Sequence, residues 1–153
     1  MTVRYKKLHP DARPPFRATE GSAGADLFAL ICGGRKSLLI QPKKTIKLQT
    51  GIAVEIPQGY GGFLFPRSSL AANHGVSLAN CVGVIDSDYR GEIIVPLINH
   101  SDSAVKITNG DRIAQLVIMP IATAEFIDCD ESATCSDLSD TARGDGGFGS
   151  TGK

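Results

Sequence analysis

The sequence predicts an all-β fold, a jelly-roll-like sandwich or barrel with one short helix and a Gly-rich C-terminal arm. Three observations carry the prediction. Short apolar runs recur through the first 127 residues with Gly, Pro, Asn and Asp at the corners between them. No helical period is sustained beyond about two turns. The ten residues before the terminal lysine, Arg143 to Gly152, are half glycine, a composition that forms neither strand nor helix by itself.

The expected strands begin with the runs Ser37–Ile40 and 45–48. Ile52, Val54 and Ile56 then alternate with Ala53 and Glu55, the period of a half-buried strand, which Pro57 and Gly59 close. Further runs follow at 63–65, 76–78, 93–98, 104–107, 113–118 and 122–127. Segment 67–75, Arg-Ser-Ser-Leu-Ala-Ala-Asn-His-Gly, departs from this pattern. Serines suited to capping, then helix formers, then a closing glycine predict a short helix of about two turns. Its first N–H groups lack intrahelical partners, so with Arg67, Ser68 and Ser69 beside them they form an expected anion site. Segment 128–142 is acidic and rich in small residues, with a single leucine, and reads as a linker between a β domain at 1–127 and an arm at 143–153.

Bulk properties exclude several classes. A chain of 153 residues suffices for one core, and zero formal net charge with pI 6.8 offers no surface for a nucleic acid. No apolar run is long enough for a bilayer, and the start, M-T-V-R-Y-K-K-L, has no signal core, so neither membrane nor export is expected. Cys32, Cys81, Cys129 and Cys135 form no C-x-x-C pair and are expected as reduced thiols of a cytoplasmic protein. His9, His74 and His100 are scattered, and no zinc-ligand spacing results.

Five polar clusters punctuate the strands. Ser22 to Phe28 puts one carboxylate, Asp26, after a turn of small residues; Pro66 to Leu70 is the anion site. Asn80 to Glu92 reads as a β-hairpin turning at Asp-Ser-Asp-Tyr-Arg-Gly, and Gly110 to Leu116 enters a strand from a turn. The fifth, the arm, combines a cation (Arg143), an aromatic ring (Phe148), two hydroxyls (Ser150, Thr151) and glycine N–H groups, the parts needed to hold a base and phosphates together.

In this order and at these separations, G-V-I-D-S-D-Y-R-G-E, G-D-R-I-A-Q and R-G-D-G-G-F-G-S-T-G resemble the motifs of trimeric dUTPases, from about Ala23 to Gly152. The resemblance implies hydrolysis of dUTP to dUMP and pyrophosphate, which keeps uracil out of DNA and supplies dUMP for thymidylate synthesis. It also implies a homotrimer with shared active sites. Asp86 would deprotonate the water that attacks the α-phosphate. Asn80 and the backbone at Gly83 and Ile85 would read uracil, whose donor and acceptor pattern cytosine cannot satisfy. Tyr89 would pack under the deoxyribose and leave no room for a 2′-hydroxyl. Arg67, Ser68, Ser69 and Gln115 would hold phosphates, and Asp26 would reach Mg²⁺ through water, the ion being chelated mainly by the triphosphate. Arg143, Gly149, Ser150 and Thr151 would clamp the β- and γ-phosphates while Phe148 covers the base and the arm closes over the site.

The departures from the motifs are Pro66, where many members have Gly, Phe28, at a position that varies among members, and Asp145, at a variable position within the arm. Two rivals stand beside this reading. A dCTP deaminase shares the fold and the Arg-Ser-Ser motif but needs a glutamate base near the pyrimidine, for which Glu92 is the candidate. A nucleotide-binding regulatory protein would keep an idle site.

Overall fold

The computed structural model describes residues 1–130 and 137–147. It divides into two compact units, Met1–Ala122 and Thr123–Lys153. In the first unit the chain runs β1 (Arg4–Lys7), β2 (Ala25–Phe28), β3 (Ser37–Ile40), β4 (Thr45–Gln49), β5 (Ile52–Glu55) and β6 (Tyr60–Phe65). The helix α1 (Ser68–His74) follows, then β7 (Val76–Leu78), β8 (Gly83–Ile85), β9 (Ile94–Asn99), β10 (Val105–Thr108) and β11 (Arg112–Pro120).

The strands form a four-stranded sheet in the order β2-β11-β6-β8, a three-stranded sheet β4-β9-β7, and the pairs β1-β5 and β3-β10. Every pairing between these strands is antiparallel, and the architecture is the expected jelly roll. Leu27, Leu64, Ile85, Ile113 and Leu116 of the larger sheet share one buried core with Leu48, Val76, Leu78, Val95 and Leu97 of the smaller. Inside it Asn99 is 0% exposed yet fully bonded. Its amide donates to Ile40 O (2.9 Å) and Ser103 O (2.7 Å), and its Oδ1 accepts from Ser101 N (2.9 Å) and Ser101 Oγ (2.7 Å). This side chain ties β9 to β3 and to the turn before β10.

Four expectations are corrected. Run 122–127 forms no strand: β11 ends at Pro120, and Phe126 beyond it is 96% exposed. Segment 80–92 is not a hairpin folded on itself. Strand β8 pairs with β6 and β9 pairs with β4 and β7, so the segment crosses from one sheet to the other, and Ile85 and Ile93 are buried on either side of the crossing. Turning at 86–91 is nonetheless present, with Tyr89 N donating to Asp86 O at 3.2 Å.

The helix begins one residue earlier than its serines suggest. Arg67 is the N-cap, in extended conformation and without a side-chain cap bond, which leaves the Ser68 and Ser69 hydroxyls uncommitted to capping. Gly75 closes it in the left-handed region (φ 64°), its N–H donating to Ala71 O and Leu70 O. Finally, Cys32 and Cys81 are free thiols but Cys129 is disulfide-bonded, so the expectation of reduced cysteines fails there.

Removing the Asn99 amide leaves the buried carbonyl of Ile40 without its side-chain donor and loosens the turn at Ser101–Ser103. Asn99→Ala is expected to lower the stability of the fold by about 2–4 kcal/mol, measured by urea unfolding.

Candidate active site

The first half of the site is built on one row of the larger sheet. Asp26 of β2 sits opposite Gln115 of β11, and Gln115 sits opposite Phe65 of β6. Residues directly opposed in antiparallel strands project from the same face. A β-bulge between Arg112 and Ala114 breaks the alternation of β11, so that Ile113 and Ala114 are both fully buried and Arg112 returns to the side of Gln115. Asp26 is thereby held between two guanidinium groups, with Arg67 Nε 3.4 Å from Oδ1 and Arg112 Nη1 3.2 Å from Oδ2. Its side chain is 12% exposed.

Gln115 donates through Nε2 to Pro66 O at 3.1 Å, fixing the turn that leads into α1. Gly24 makes this possible, since a Cβ there would lie 3.2 Å from Gln115 Oε1 and 3.2 Å from Val117 Cγ2. Ser68 completes a polar cleft of about 280 Å³ with Asp26, Arg67, Arg112 and Gln115. Two guanidinium groups against one carboxylate leave the cleft net positive and rich in donors, the chemistry of a polyanion site. Ser69 is exposed on α1 and does not line it.

The second half lies at the other edge of the same sheet. Strand β8 is an edge strand, so alternate backbone N–H and C=O groups along Gly83–Ile85 face away from β6. Gly83 itself packs on Leu64, where a Cβ would come within 3.1 Å of the leucine side chain. Asn80, Gly83, Ile85, Asp86 and Tyr89 line a pocket of about 360 Å³ together with Glu92. Tyr89 is 44% exposed, and its hydroxyl donates to Glu92 O at 3.0 Å. Arg90 braces the turn through Nη1, which donates to Ser87 O (2.6 Å) and Tyr89 O (2.9 Å).

Asp86 is exposed, and its carboxylate takes part in no hydrogen bond or ion pair among the described residues. It also borders a second, larger cavity of about 830 Å³ that includes Arg4, Glu55 and Arg90. Glu92, by contrast, is spent. Its Oε1 accepts from Gly51 N at 2.7 Å and its Oε2 from Gln49 Nε2 at 3.3 Å.

The cleft and the pocket share no lining residue. Strands β2 and β8 are the two edges of the sheet, three strand steps or about 14 Å apart at the usual spacing. Among the described residues no group of three or more His, Cys, Asp or Glu side chains could hold a metal ion. In the second unit Arg143 is exposed, with Nε donating to Gly146 O at 2.9 Å. Phe148, Gly149, Ser150 and Thr151 lie outside the described residues.

Residues 11–152 match the sequence profile of the dUTPase family. The chain belongs to that family. Among its relatives is the deoxyuridine 5'-triphosphate nucleotidohydrolase of Hydrogenobaculum sp., 47% identical over 99% of this chain and 99% of that protein. The fold superposes with a TM-score of 0.83 on the dUTPase of Staphylococcus bacteriophage 80alpha solved with dUPNHPP, at 29% identity and covering 99% of each chain. A dUTPase of phage phi11 of S. aureus, described for its coordination of a structural Mg(II) ion, superposes at 0.75 with 26% identity, over 87% of this chain and 99% of that one.

In this dUTPase-family chain, Arg112 is the charged cleft residue that sequence reasoning passed over. Its signal was the pair of adjacent apolar residues Ile113 and Ala114 between Arg112 and Gln115, which cannot both project from one face of a regular strand. Losing its guanidinium removes one of two positive groups from the cleft. Arg112→Ala is expected to weaken binding of inorganic pyrophosphate about tenfold, measured by titration calorimetry.

Proposed function

We propose that the chain hydrolyses dUTP to dUMP and pyrophosphate, with uracil in the pocket along β8 and the triphosphate in the cleft of Arg67, Ser68, Arg112 and Gln115. The observation that carries this reading is the Asp86 carboxylate at the rim of the pocket, unpartnered among the described residues. The Asp26 carboxylate is engaged by Arg67 and Arg112, whereas the Asp86 oxygens are open to a water. Asp86 takes a proton from a water as its oxygen bonds to the α-phosphorus. The bond from that phosphorus to the bridging oxygen breaks, and pyrophosphate leaves.

Uracil presents an acceptor–donor–acceptor edge. The outward backbone groups of Gly83 and Ile85, with the Asn80 amide, supply complementary partners, whereas cytosine would leave a buried donor unpaired. Tyr89 lies under the sugar and excludes a 2′-hydroxyl. Ser69 and the N–H groups of the first helical turn add donors to the phosphate side.

Mg²⁺ fits the residues present in one way only. A lone carboxylate already engaged by two arginines suits a cation that arrives on the triphosphate and reaches Asp26 through water, not one held in a protein cage. When bound, the ion neutralises charge that builds on the phosphate oxygens.

Because the pocket and the cleft occupy opposite sheet edges, a single nucleotide takes them from two copies of the chain. We place them in a homotrimer with shared sites, whose arm supplies Arg143, Gly149, Ser150 and Thr151 to the β- and γ-phosphates and Phe148 to the base. The residues 1–127, 128–142 and 143–153 then act as catalytic domain, linker and closing arm. A cytoplasmic nucleotide pool is the substrate source; no helix among the described residues is long and apolar enough to cross a membrane.

The deaminase reading loses its base, because Glu92 holds the backbone of Gly51. The idle-site reading predicts no turnover at all. Asp86→Asn, an isosteric change, is expected to bind dUTP near the parental affinity and to release pyrophosphate about 10²- to 10⁴-fold more slowly, measured by coupled assay. Parental turnover in this variant would remove Asp86 from the mechanism, and ammonia as a product from dCTP would restore the deaminase.

A further inference from the structure

Gly91 has no backbone reason to be glycine. Its φ does not lie in the left-handed region, unlike that of Gly51, Gly59, Gly75 or Gly110. Any L-residue can adopt its conformation. What forbids a side chain there is Tyr89. A Cβ on Gly91 would lie 2.6 Å from Tyr89 Cζ and 3.0 Å from Cε2, and closer still to the hydroxyl. The ring is laid against the backbone of Gly91 and secured at its far end by the bond from its hydroxyl to Glu92 O (3.0 Å). Glu92 is itself fixed to Gly51 and Gln49. The ring is therefore fastened at its hydroxyl end, and its floor is the missing side chain of Gly91.

We propose that Gly91 is a specificity-determining residue: it sets how far Tyr89 recedes from the pocket, and so the room left at the 2′ position of the sugar. This rests on the reading that Tyr89 packs under the deoxyribose. A methyl group at position 91 meets the distal end of a half-exposed side chain, which can tip at little cost to the fold. The displacement falls instead on the sugar, where the contact between ring and ribose decides between dUTP and UTP. Fold and selectivity are thus separable at this position.

The test compares kcat/KM for dUTP and UTP in the parent, Gly91→Ala, Tyr89→Ala and the double variant. By pushing the ring toward the sugar, Gly91→Ala is expected to raise the dUTP:UTP ratio roughly tenfold, with a thermal midpoint close to the parent. In the Tyr89→Ala background there is no ring to displace, so adding Gly91→Ala should leave the ratio where Tyr89→Ala set it. A parental ratio in Gly91→Ala beside a lowered one in Tyr89→Ala would overturn the role of Gly91 and leave that of Tyr89 standing. An equal effect of Gly91→Ala with and without the ring would overturn it too. If Gly91→Ala fails to fold, recovery in the double variant places the conflict at the ring, and failure of both overturns the proposal. An unchanged ratio in Tyr89→Ala removes the reading of Tyr89 itself.

Discussion

Both halves of the site hang on the register of β11. This strand is hydrogen-bonded to β2 on one side and β6 on the other, and β6 in turn carries β8. A slip of one residue would turn Gln115 inward and Leu116 outward, putting a polar amide into the core and an apolar side chain in the cleft. The bulge at Arg112–Ala114 is the place where the alternation of β11 is broken. It buries Ile113 and Ala114 together and returns Arg112 to Asp26. Core packing and the charge balance of the cleft are therefore fixed by the same irregularity.

From that register follows a division of labour between the edges of one sheet. At the β2 edge the chemistry is that of paired charges, with Asp26 orienting two arginines whose remaining donors face the cleft. At the β8 edge it is that of unpaired backbone, a carboxylate with no partner among the described residues and a tyrosine laid on a glycine. Each edge suits one end of a nucleoside triphosphate, and neither suits both. The proposed trimer would join them and so tie catalysis to assembly.

Most strands and the helix were legible because their signals are local. Gly75, for example, announces the end of α1 through a conformation that glycine adopts easily. Strand β1 was not legible: Arg-Tyr-Lys-Lys is exposed along its whole length and joins β5 by backbone bonds that no side-chain period betrays. Segment 80–92 misled for a related reason. Two apolar runs around a turn look the same whether they pair with each other or with two different sheets, and only the partners β6, β4 and β7 decide. The site residues were legible as motifs, while their grouping was not. That Asp26, Arg67 and Gln115 converge while Asn80, Asp86 and Tyr89 gather elsewhere depends on long-range strand order, as does the pairing of Arg112 with Asp26 and the fastening of Glu92 to Gly51.

The most direct measurement is complementation between two inactive chains, Asp86→Asn, with a sound cleft, and Gln115→Leu, with a sound pocket. Unfolded together in equal amounts and refolded, the chains assort at random, and if each site takes its pocket and its cleft from different chains about a quarter of sites receive both sound halves. The account predicts that pyrophosphate release from dUTP then recovers to about that fraction of the parental rate, while each variant refolded alone remains inactive. Verified mixed assemblies with no recovered activity would show that one chain supplies both halves, and would contradict it.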